Sequence, residues 1–205
     1  KLISNNEINA IVIATRHNTH ANLIIKALEA GKHVFVEKPL CLTPNELESI
    51  KKSYSGDKVL MVGYNRRFSS LITKIKRRLS NFKGPLEFIY TCNAGSIPCE
   101  HWTQDEIIGG GRLLGEACHF VDLLRFLSNS PIRKIQVLNA SDSKKRPDNF
   151  SIQLEFENGF IGSILYFSNG HNSFPKERIE IFGDGSIILL DNFRKLKTWG
   201  MPSIP

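Results

Sequence analysis

The first third of the chain alternates apolar runs of strand length with segments of helical periodicity. Residues Ile8 to Thr15 are almost continuously apolar, which is typical of a strand buried on both faces. A threonine followed by proline, Thr43-Pro44, begins a later helix, and Glu46 completes a capping box with Thr43. The predicted elements are strand 8–15, helix 19–30, strand 32–38, a helix from 43 and strand 58–63. This β-α-β-α-β order predicts a parallel sheet wound with helices.

Beyond residue 66 the pattern changes to strands in direct succession. Two turns, Glu157-Asn158-Gly159 and Gly183-Asp184-Gly185, are typical of hairpins. Strands without crossover helices favour an antiparallel sheet with its helices on one face. The predicted elements are helices 69–81 and 114–127 and strands 85–93, 133–140, 150–157, 160–167, 177–182 and 186–190. The predicted fold is α/β. The C-terminal part of a Rossmann-type parallel sheet (1–66) precedes an α+β domain with a large, mainly antiparallel open sheet (67–205).

Length and hydropathy narrow the class of protein. The 205 residues suffice for one large domain or two small ones. No apolar stretch approaches the ~20 residues that span a bilayer, and the N-terminus turns polar too soon for a signal peptide. We therefore expect a soluble, cytoplasmic protein with no membrane partner.

The net charge of +7 favours anionic partners without specifying one. The basic run 74–78 is interpreted as a solvated helix face, and no nucleic-acid-binding motif accompanies it. We expect no nucleic-acid partner, whereas phosphate-bearing small ligands suit the charge equally well. The four cysteines form no CxxC pair, and their spacing to histidines matches no structural zinc signature, so no metal is expected.

The candidate chemistry begins at the carboxyl end of the strand around Val34–Val36. A Glu37-Lys38 pair follows this strand, and Pro39 then turns the chain. Ligand crevices in open α/β sheets lie outside the carboxyl ends of strands, so Lys38 is placed to donate a hydrogen bond or a proton. A surface lysine after an edge strand is the equal alternative at this point.

The glycine-rich turn of a dinucleotide-binding fold is missing. No GxGxxG occurs, and Gly109-Gly110-Gly111 lies far downstream, where it is expected to supply backbone flexibility. The chain also lacks an initiator methionine. We expect a fragment that lacks its N-terminal βα units, or a trimmed chain.

Four segments in this order carry a resemblance to a known family. They are Thr15-Arg16-His17-Asn18-Thr19-His20, the run 31–39 that contains Lys38, Gly63-Tyr64-Asn65-Arg66-Arg67-Phe68, and Gly109-Gly110-Gly111 followed by His119 and Asp122. Together they resemble the glucose-fructose oxidoreductase / inositol dehydrogenase / MocA family over nearly the whole chain. Segments 109–127 and 174–183 look most like a subgroup fused behind a zinc-dependent alcohol-dehydrogenase-like module.

The resemblance implies an NAD- or NADP-dependent oxidoreductase acting on a hydroxyl of a sugar, cyclitol or sugar nucleotide. Lys38 and His119 would be catalytic, with His119 accepting the hydroxyl proton. The implied cofactor-binding residues are Thr15, Asn18, His20, Glu37, Lys38, Asn65 and Arg67. The implied substrate-binding residues are Lys38, Arg67, Glu116, His119 and Asp122. A homo-oligomer through the open sheet of the second domain is also implied.

One departure from the family pattern lies just before His119. Gly115 stands where the family carries an aspartate, and the acidic Glu116 comes one residue later. One helical step rotates a side chain by about 100°, so Glu116 does not simply replace that aspartate. A Lys38–His119 pair assisted by Glu116 is therefore expected, and a non-catalytic ligand-binding or assembly module with the same fold is the alternative.

The remaining polar residues of these motifs leave their roles open. Arg16 and His17 are predicted to be exposed loop residues. Arg66 and Arg67 suit a phosphate or substrate anion as well as a salt bridge at the domain junction.

Overall fold

A computed structural model describes residues 1–140 and 148–204 of the chain. These residues form two compact units. The first comprises Lys1–Tyr64 with Cys99–Cys118, and the second comprises Asn65–Pro98 with His119–Pro205. The segment 99–118 thus belongs to the first compact unit, although the sequence analysis placed it in the second domain. The division at residue 66 stays a prediction about domain organisation.

The first unit contains a three-stranded parallel sheet in the order β1-β2-β3. Its elements are β1 (Ala10–Ile13), α1 (His20–Glu29), β2 (His33–Val36), α2 (Pro44–Ser53) and β3 (Leu60–Val62). The predicted capping box at the start of α2 is confirmed, since Glu46 N donates to Thr43 Oγ1 and Thr43 N donates to Glu46 Oε2. Apolar residues of both helices and of β1 and β2 form one buried cluster.

The second unit contains a seven-stranded mixed sheet in the order β10-β9-β8-β4-β7-β6-β5. Its strands are β4 (Glu87–Asn93), β5 (Ile132–Asn139), β6 (Phe150–Phe156), β7 (Ile161–Phe167), β8 (Glu177–Gly183), β9 (Ser186–Asp191) and β10 (Lys195–Trp199). Its helices are α3 (Ser70–Leu79) and the second half of α4 (Gly111–Ser128). Both predicted hairpins, β6–β7 and β8–β9, are confirmed.

Three details differ from the sequence prediction. β4 pairs with β7 in parallel, because α4, β5 and β6 intervene in the chain before β7 reaches the centre of the sheet. α4 begins at Gly111 rather than 114. The edge strand β10 was missed because three of its five residues are exposed and two of those are lysines, a weak strand signal.

The large sheet buries one face. Along β4, Phe88, Tyr90 and Cys92 are buried, and the alternate residues are more exposed. The same alternation runs along β6 to β9. Among the residues described, no helix combines the length and apolarity that crossing a membrane requires.

Candidate functional site

Lys38 is the second residue after β2 and lies against the first turns of α4. Its Nζ donates to the carbonyl oxygen of Gly115 at 2.8 Å and to Glu116 Oε1 at 3.2 Å. The Lys38 side chain is 18% exposed and that of Glu116 is 34% exposed. The peptide bond between Lys38 and Pro39 is cis. An ammonium group has three N–H donors, so these two contacts leave one donor for a ligand.

Glu37 contacts residues at the ends of β1 and β3. Its backbone N donates to Ile13 O at 2.8 Å, which continues the parallel pairing beyond the strand. Its carboxylate lies against Gly63, where an added Cβ would come within 3.1 Å of Oε2. The glycine after β3 therefore provides the room that the Glu37 carboxylate occupies.

The predicted cofactor residues after β1 fall in one tight turn. Thr15 and Thr19 share a hydrogen bond between their hydroxyls at 2.6 Å, and Asn18 is exposed while its backbone N donates to Ile108 O. His20 is fully buried, with Nδ1 2.8 Å from Pro39 O and Nε2 3.1 Å from Thr15 O. His20 thus joins the turn after β1 to the turn after β2, and its contact with a cofactor stays a prediction.

The prediction that His17 is exposed is wrong. His17 is 8% exposed, and its Nδ1 lies 2.8 Å from the carbonyl oxygen of Gly109. Its ring contacts Trp102 edge-on at a centroid distance of 4.8 Å. Burial lowers the pKa of His17, although the hydrogen bond to Gly109 opposes that shift. The sequence showed no partner for His17 because Gly109 lies 92 residues further along the chain.

Gly109 is required for close approach rather than flexibility. A Cβ at Gly109 would lie 2.4 Å from the Cα of Thr103, which no side chain tolerates. Gly110 and Gly111 both adopt a φ of +76°, the region that favours glycine. The three glycines therefore do not supply the expected backbone flexibility. Gly109 is required by close packing, and Gly110 and Gly111 by their positive φ.

In the second unit, two of the predicted residues bind each other. Arg67 Nε donates to Asp122 Oδ2 at 2.6 Å, and Arg67 Nη2 donates to Asp122 Oδ1. The guanidinium also lies over the ring of Phe126, 5.3 Å from its centroid. Asn65 is exposed at the start of a short 3₁₀ helix, Asn65–Phe68. His119 lies on α4 and is 8% exposed.

Arg66, which suited either an anion or a salt bridge, forms a buried network within the second unit. Its Nε and Nη2 donate to the two carboxylate oxygens of Glu177 at 2.8 and 2.6 Å, and Tyr90 also donates its hydroxyl to Glu177. The guanidinium stands 5.2 Å from the ring centroid of Phe120. Sequence reasoning missed Glu177 and Tyr90, since alternation along β4 and β8 predicts only that these positions face inward.

This network shifts the pKa values of Glu177 and Tyr90. Burial alone would raise the pKa of Glu177, but the hydrogen bonds and charge of Arg66 outweigh burial and lower it. Burial, together with the charge of Glu177, raises the pKa of Tyr90 well above its ordinary value. Glu177 is therefore an anion and Tyr90 a neutral donor at neutral pH.

Residues 1–140 and 148–204 contain no cluster of three or more His, Cys, Asp or Glu side chains arranged to hold a metal ion. Cys41, Cys92, Cys99 and Cys118 are all free thiols.

Sequence models of two domains match this chain. Residues 1–66 match the model described as "Oxidoreductase family, NAD-binding Rossmann fold", and residues 85–188 match the "GFO/IDH/MocA C-terminal domain". Together they cover most of the chain and agree with the resemblance carried by the motifs.

Curated relatives resemble the chain along most of its length. The myo-inositol 2-dehydrogenase of Thermotoga maritima is 28% identical over 204 residues, which cover 95% of this chain and 60% of that protein. The scyllo-inositol 2-dehydrogenase (NAD(+)) of Bacillus subtilis is 29% identical over 196 residues, which cover 89% of this chain and 55% of that protein. The chain thus spans about 55 to 60% of the length of these relatives.

Solved structures share the fold. An oxidoreductase domain protein from Kribbella flavida superposes with a TM-score of 0.82 at 25% identity, covering 97% of this chain and 59% of that one. Levoglucosan dehydrogenase in complex with NADH and levoglucosan superposes with a TM-score of 0.81 at 25% identity, covering 96% and 58%. With both domain models matched in order, the chain belongs to the GFO/IDH/MocA family of oxidoreductases.

Proposed function

We propose that the protein containing this chain is an NAD-dependent oxidoreductase. It transfers a hydride between nicotinamide and the carbinol carbon of a sugar, cyclitol or sugar nucleotide. The observation that carries this proposal is the position of Lys38, at the carboxyl end of a parallel strand and held by Gly115 O and Glu116.

Related proteins support the substrate class. A structural relative is levoglucosan dehydrogenase in complex with NADH and levoglucosan, and curated relatives are inositol dehydrogenases. All of these substrates carry secondary hydroxyls on a six-membered ring. We therefore assign this protein a polyhydroxylated ring substrate.

The first unit suits the nicotinamide half of the cofactor. The carboxyl ends of β1 and β2 present Thr15, Asn18 and the Glu37 carboxylate, which suit hydroxyl and amide groups. The chain holds no GxGxxG turn, so pyrophosphate contacts are not assigned to any of its residues. Bound NAD supplies the hydride acceptor.

The chain's own side chains supply the proton chemistry. Loss of hydride makes the hydroxyl oxygen acidic, so a base within about 3 Å is needed. We assign this role to His119, which follows Gly115 by four positions on α4, because residues four apart share one face of a helix. To the remaining N–H donor of Lys38 we assign the stabilisation of the negative charge that develops on a substrate oxygen.

We also propose that the protein is a homo-oligomer that packs through the open face of the large sheet. Apolar side chains, among them Ile161 and Phe167 of β7, are 48% and 39% exposed on that face. Light scattering on the full-length protein tests this assembly. Ile161→Glu is expected to reduce the oligomer, and an unchanged mass would contradict the proposal.

The test of the activity is NAD-dependent turnover of the full-length protein on a panel of cyclitols, sugars and sugar nucleotides. Lys38→Ala is expected to lower kcat/KM by about 10²- to 10⁴-fold, the range for loss of a positioned proton-transfer or electrostatic group. Lys52→Ala on the exposed face of α2 is the control and keeps full activity. Full activity of Lys38→Ala would overturn the assignment.

The alternative, a non-catalytic ligand-binding or assembly module with the same fold, predicts a different experimental result. Gly115 favours it, because it stands where the family resemblance implies an aspartate and so removes an acidic group from the site. NADH fluorescence on the full-length protein separates the cases. No saturable binding together with no turnover would support the alternative and reject the oxidoreductase proposal.

A further inference from the structure

We propose that His17 is a positioning residue for Lys38 and that it acts through Gly115. The two residues form a pair matched in size, in which the imidazole ring of His17 fills the space that a side chain at position 115 would need. The functional part of this inference rests on the proposed oxidoreductase activity, whereas the fit of the two residues does not.

The ring of His17 is held in one orientation. A carbonyl oxygen only accepts hydrogen bonds, so the contact with Gly109 O at 2.8 Å places the proton of a neutral imidazole on Nδ1. Gly109 cannot move away, since the backbone of Thr103 packs against its Cα. Trp102 closes another side of the ring. His17 is therefore a buried, oriented group rather than a loop residue.

The fixed ring then contacts α4 at Gly115. A Cβ at position 115 would lie 3.2 Å from His17 Cε1 and 3.7 Å from Nδ1. Even alanine would force the ring or the helix to shift by a few tenths of an ångström, and an aspartate would force more. This contact gives a physical reason for glycine at position 115 of this chain.

Gly115 is also where Lys38 binds. Its carbonyl oxygen accepts from Lys38 Nζ at 2.8 Å, and the next residue, Glu116, provides the second acceptor at 3.2 Å. His17 and Lys38 thus contact the same turn of α4. A shift of that turn moves both acceptors of Lys38 together, and with them the direction of its remaining N–H donor.

Four variants of the full-length protein test the pairing: His17→Ala, Gly115→Ala, the double variant and Gly162→Ala. Gly162→Ala is the matched control, since a Cβ there would lie 3.0 Å from Leu124 Cδ1 in the second unit. Each single variant at 17 or 115 is expected to lower kcat by about tenfold with little change in KM for NAD, given that a 1 Å misplacement costs about 10²-fold. The double variant is expected to recover part of the loss, because the new methyl group enters the space the ring has left.

A second readout does not depend on turnover. Acylation of lysines, followed by mass spectrometry, measures how strongly Lys38 is held, with exposed Lys52 as the internal reference. The ratio of Lys38 to Lys52 labelling is expected to rise several-fold in each single variant, to fall back in the double variant and to stay unchanged in Gly162→Ala.

Two results would overturn the proposal. One is a labelling ratio that is unchanged in the single variants, and the other is a double variant whose effects are the product of the single ones. If the unaltered protein shows no turnover, the oxidoreductase proposal fails, and the labelling ratios still decide whether His17 and Gly115 position Lys38.

Discussion

Two ion pairs of this chain, one in each unit, show how geometry separates different roles. In the first unit, Lys38 makes one contact with Glu116 at 3.2 Å, and both side chains are partly exposed. In the second unit, Arg66 binds both oxygens of Glu177, whose side chain is 9% exposed. The Lys38 pair is a single, partly exposed contact, whereas the Arg66 pair is bidentate and its carboxylate is buried. The first geometry suits a site that receives a ligand, and the second suits a structural anchor.

The largest effect expected from this comparison is on stability in the second unit. Glu177→Gln is expected to lower the free energy of unfolding by about 3–5 kcal/mol, because it leaves the Arg66 charge buried without its counter-ion. Urea unfolding measures this, with Trp199 of β10 as the fluorescent probe in a Trp102→Phe background.

The control for this variant lies on the same strand. Glu180 pairs with Arg178 at 2.5 Å, but these side chains are 23% and 43% exposed. Glu180→Gln is expected to cost less than about 1 kcal/mol. Equal losses in the two variants would show that burial does not distinguish the pairs.

A smaller loss is expected from the third member of the buried network. Tyr90→Phe removes the hydroxyl that donates to Glu177, and a hydrogen bond to a charged group contributes about 1.5–3 kcal/mol. The control is Tyr54→Phe, since Tyr54 is 43% exposed after α2. The same urea unfolding assay measures both variants. If Tyr90→Phe is as stable as the unaltered protein, Tyr90 does not contribute to the network.

The two units are also expected to respond to acid in different pH ranges. The pKa of His17 is lowered by burial, so between that pKa and about 6.5 the unfolded chain binds more protons than the folded unit. Stability of the first unit therefore falls as pH decreases below about 6.5, by at most about 1.4 kcal/mol per pH unit. The lowered pKa of Glu177 stabilises the second unit above about pH 4.3, and this contribution is lost as pH falls through the folded value.

Trp102, which contacts His17, reports on the first unit in a Trp199→Phe background. Urea midpoints between pH 5 and 7 measure the slope, which His17→Ala is expected to remove. A slope that survives this substitution would assign the response to another group.

The smallest change in stability is expected at the Lys38 pair. Glu116→Gln is expected to change the free energy of unfolding by less than about 1 kcal/mol, because the pair is partly exposed. Loss of the charged acceptor is expected to lower kcat/KM by about fivefold, equivalent to about 1 kcal/mol. Glu48→Gln, whose partner Lys51 is 61% exposed on α2, is the control and changes neither quantity. A large loss of stability in Glu116→Gln would make this pair structural, like that of Arg66.

Much of the fold was predictable because it follows from local patterns. Apolar runs, the capping box at Thr43 and the two glycine-containing turns predicted the strands, helices and hairpins that the structure contains. β10 was missed since its lysines weaken the strand pattern, and the parallel β4–β7 pair was missed since pairing of distant strands has no local signature.

The sequence by itself determined the family, most of the helices and strands, and the position of Lys38 near the end of β2, because motifs, periodicity and chain direction can be read along the chain. Only the tertiary structure decided which polar groups meet. His17 reaches Gly109 across 92 residues, Lys38 reaches Glu116 across 78, and Arg66 reaches Glu177 across 111. These contacts depend on how separate elements pack. In each of them the hydrogen-bonding partner lies far away in the sequence, so the residues near either group do not predict it. The space above Gly115, and hence the role we propose for His17, exists only in the folded chain.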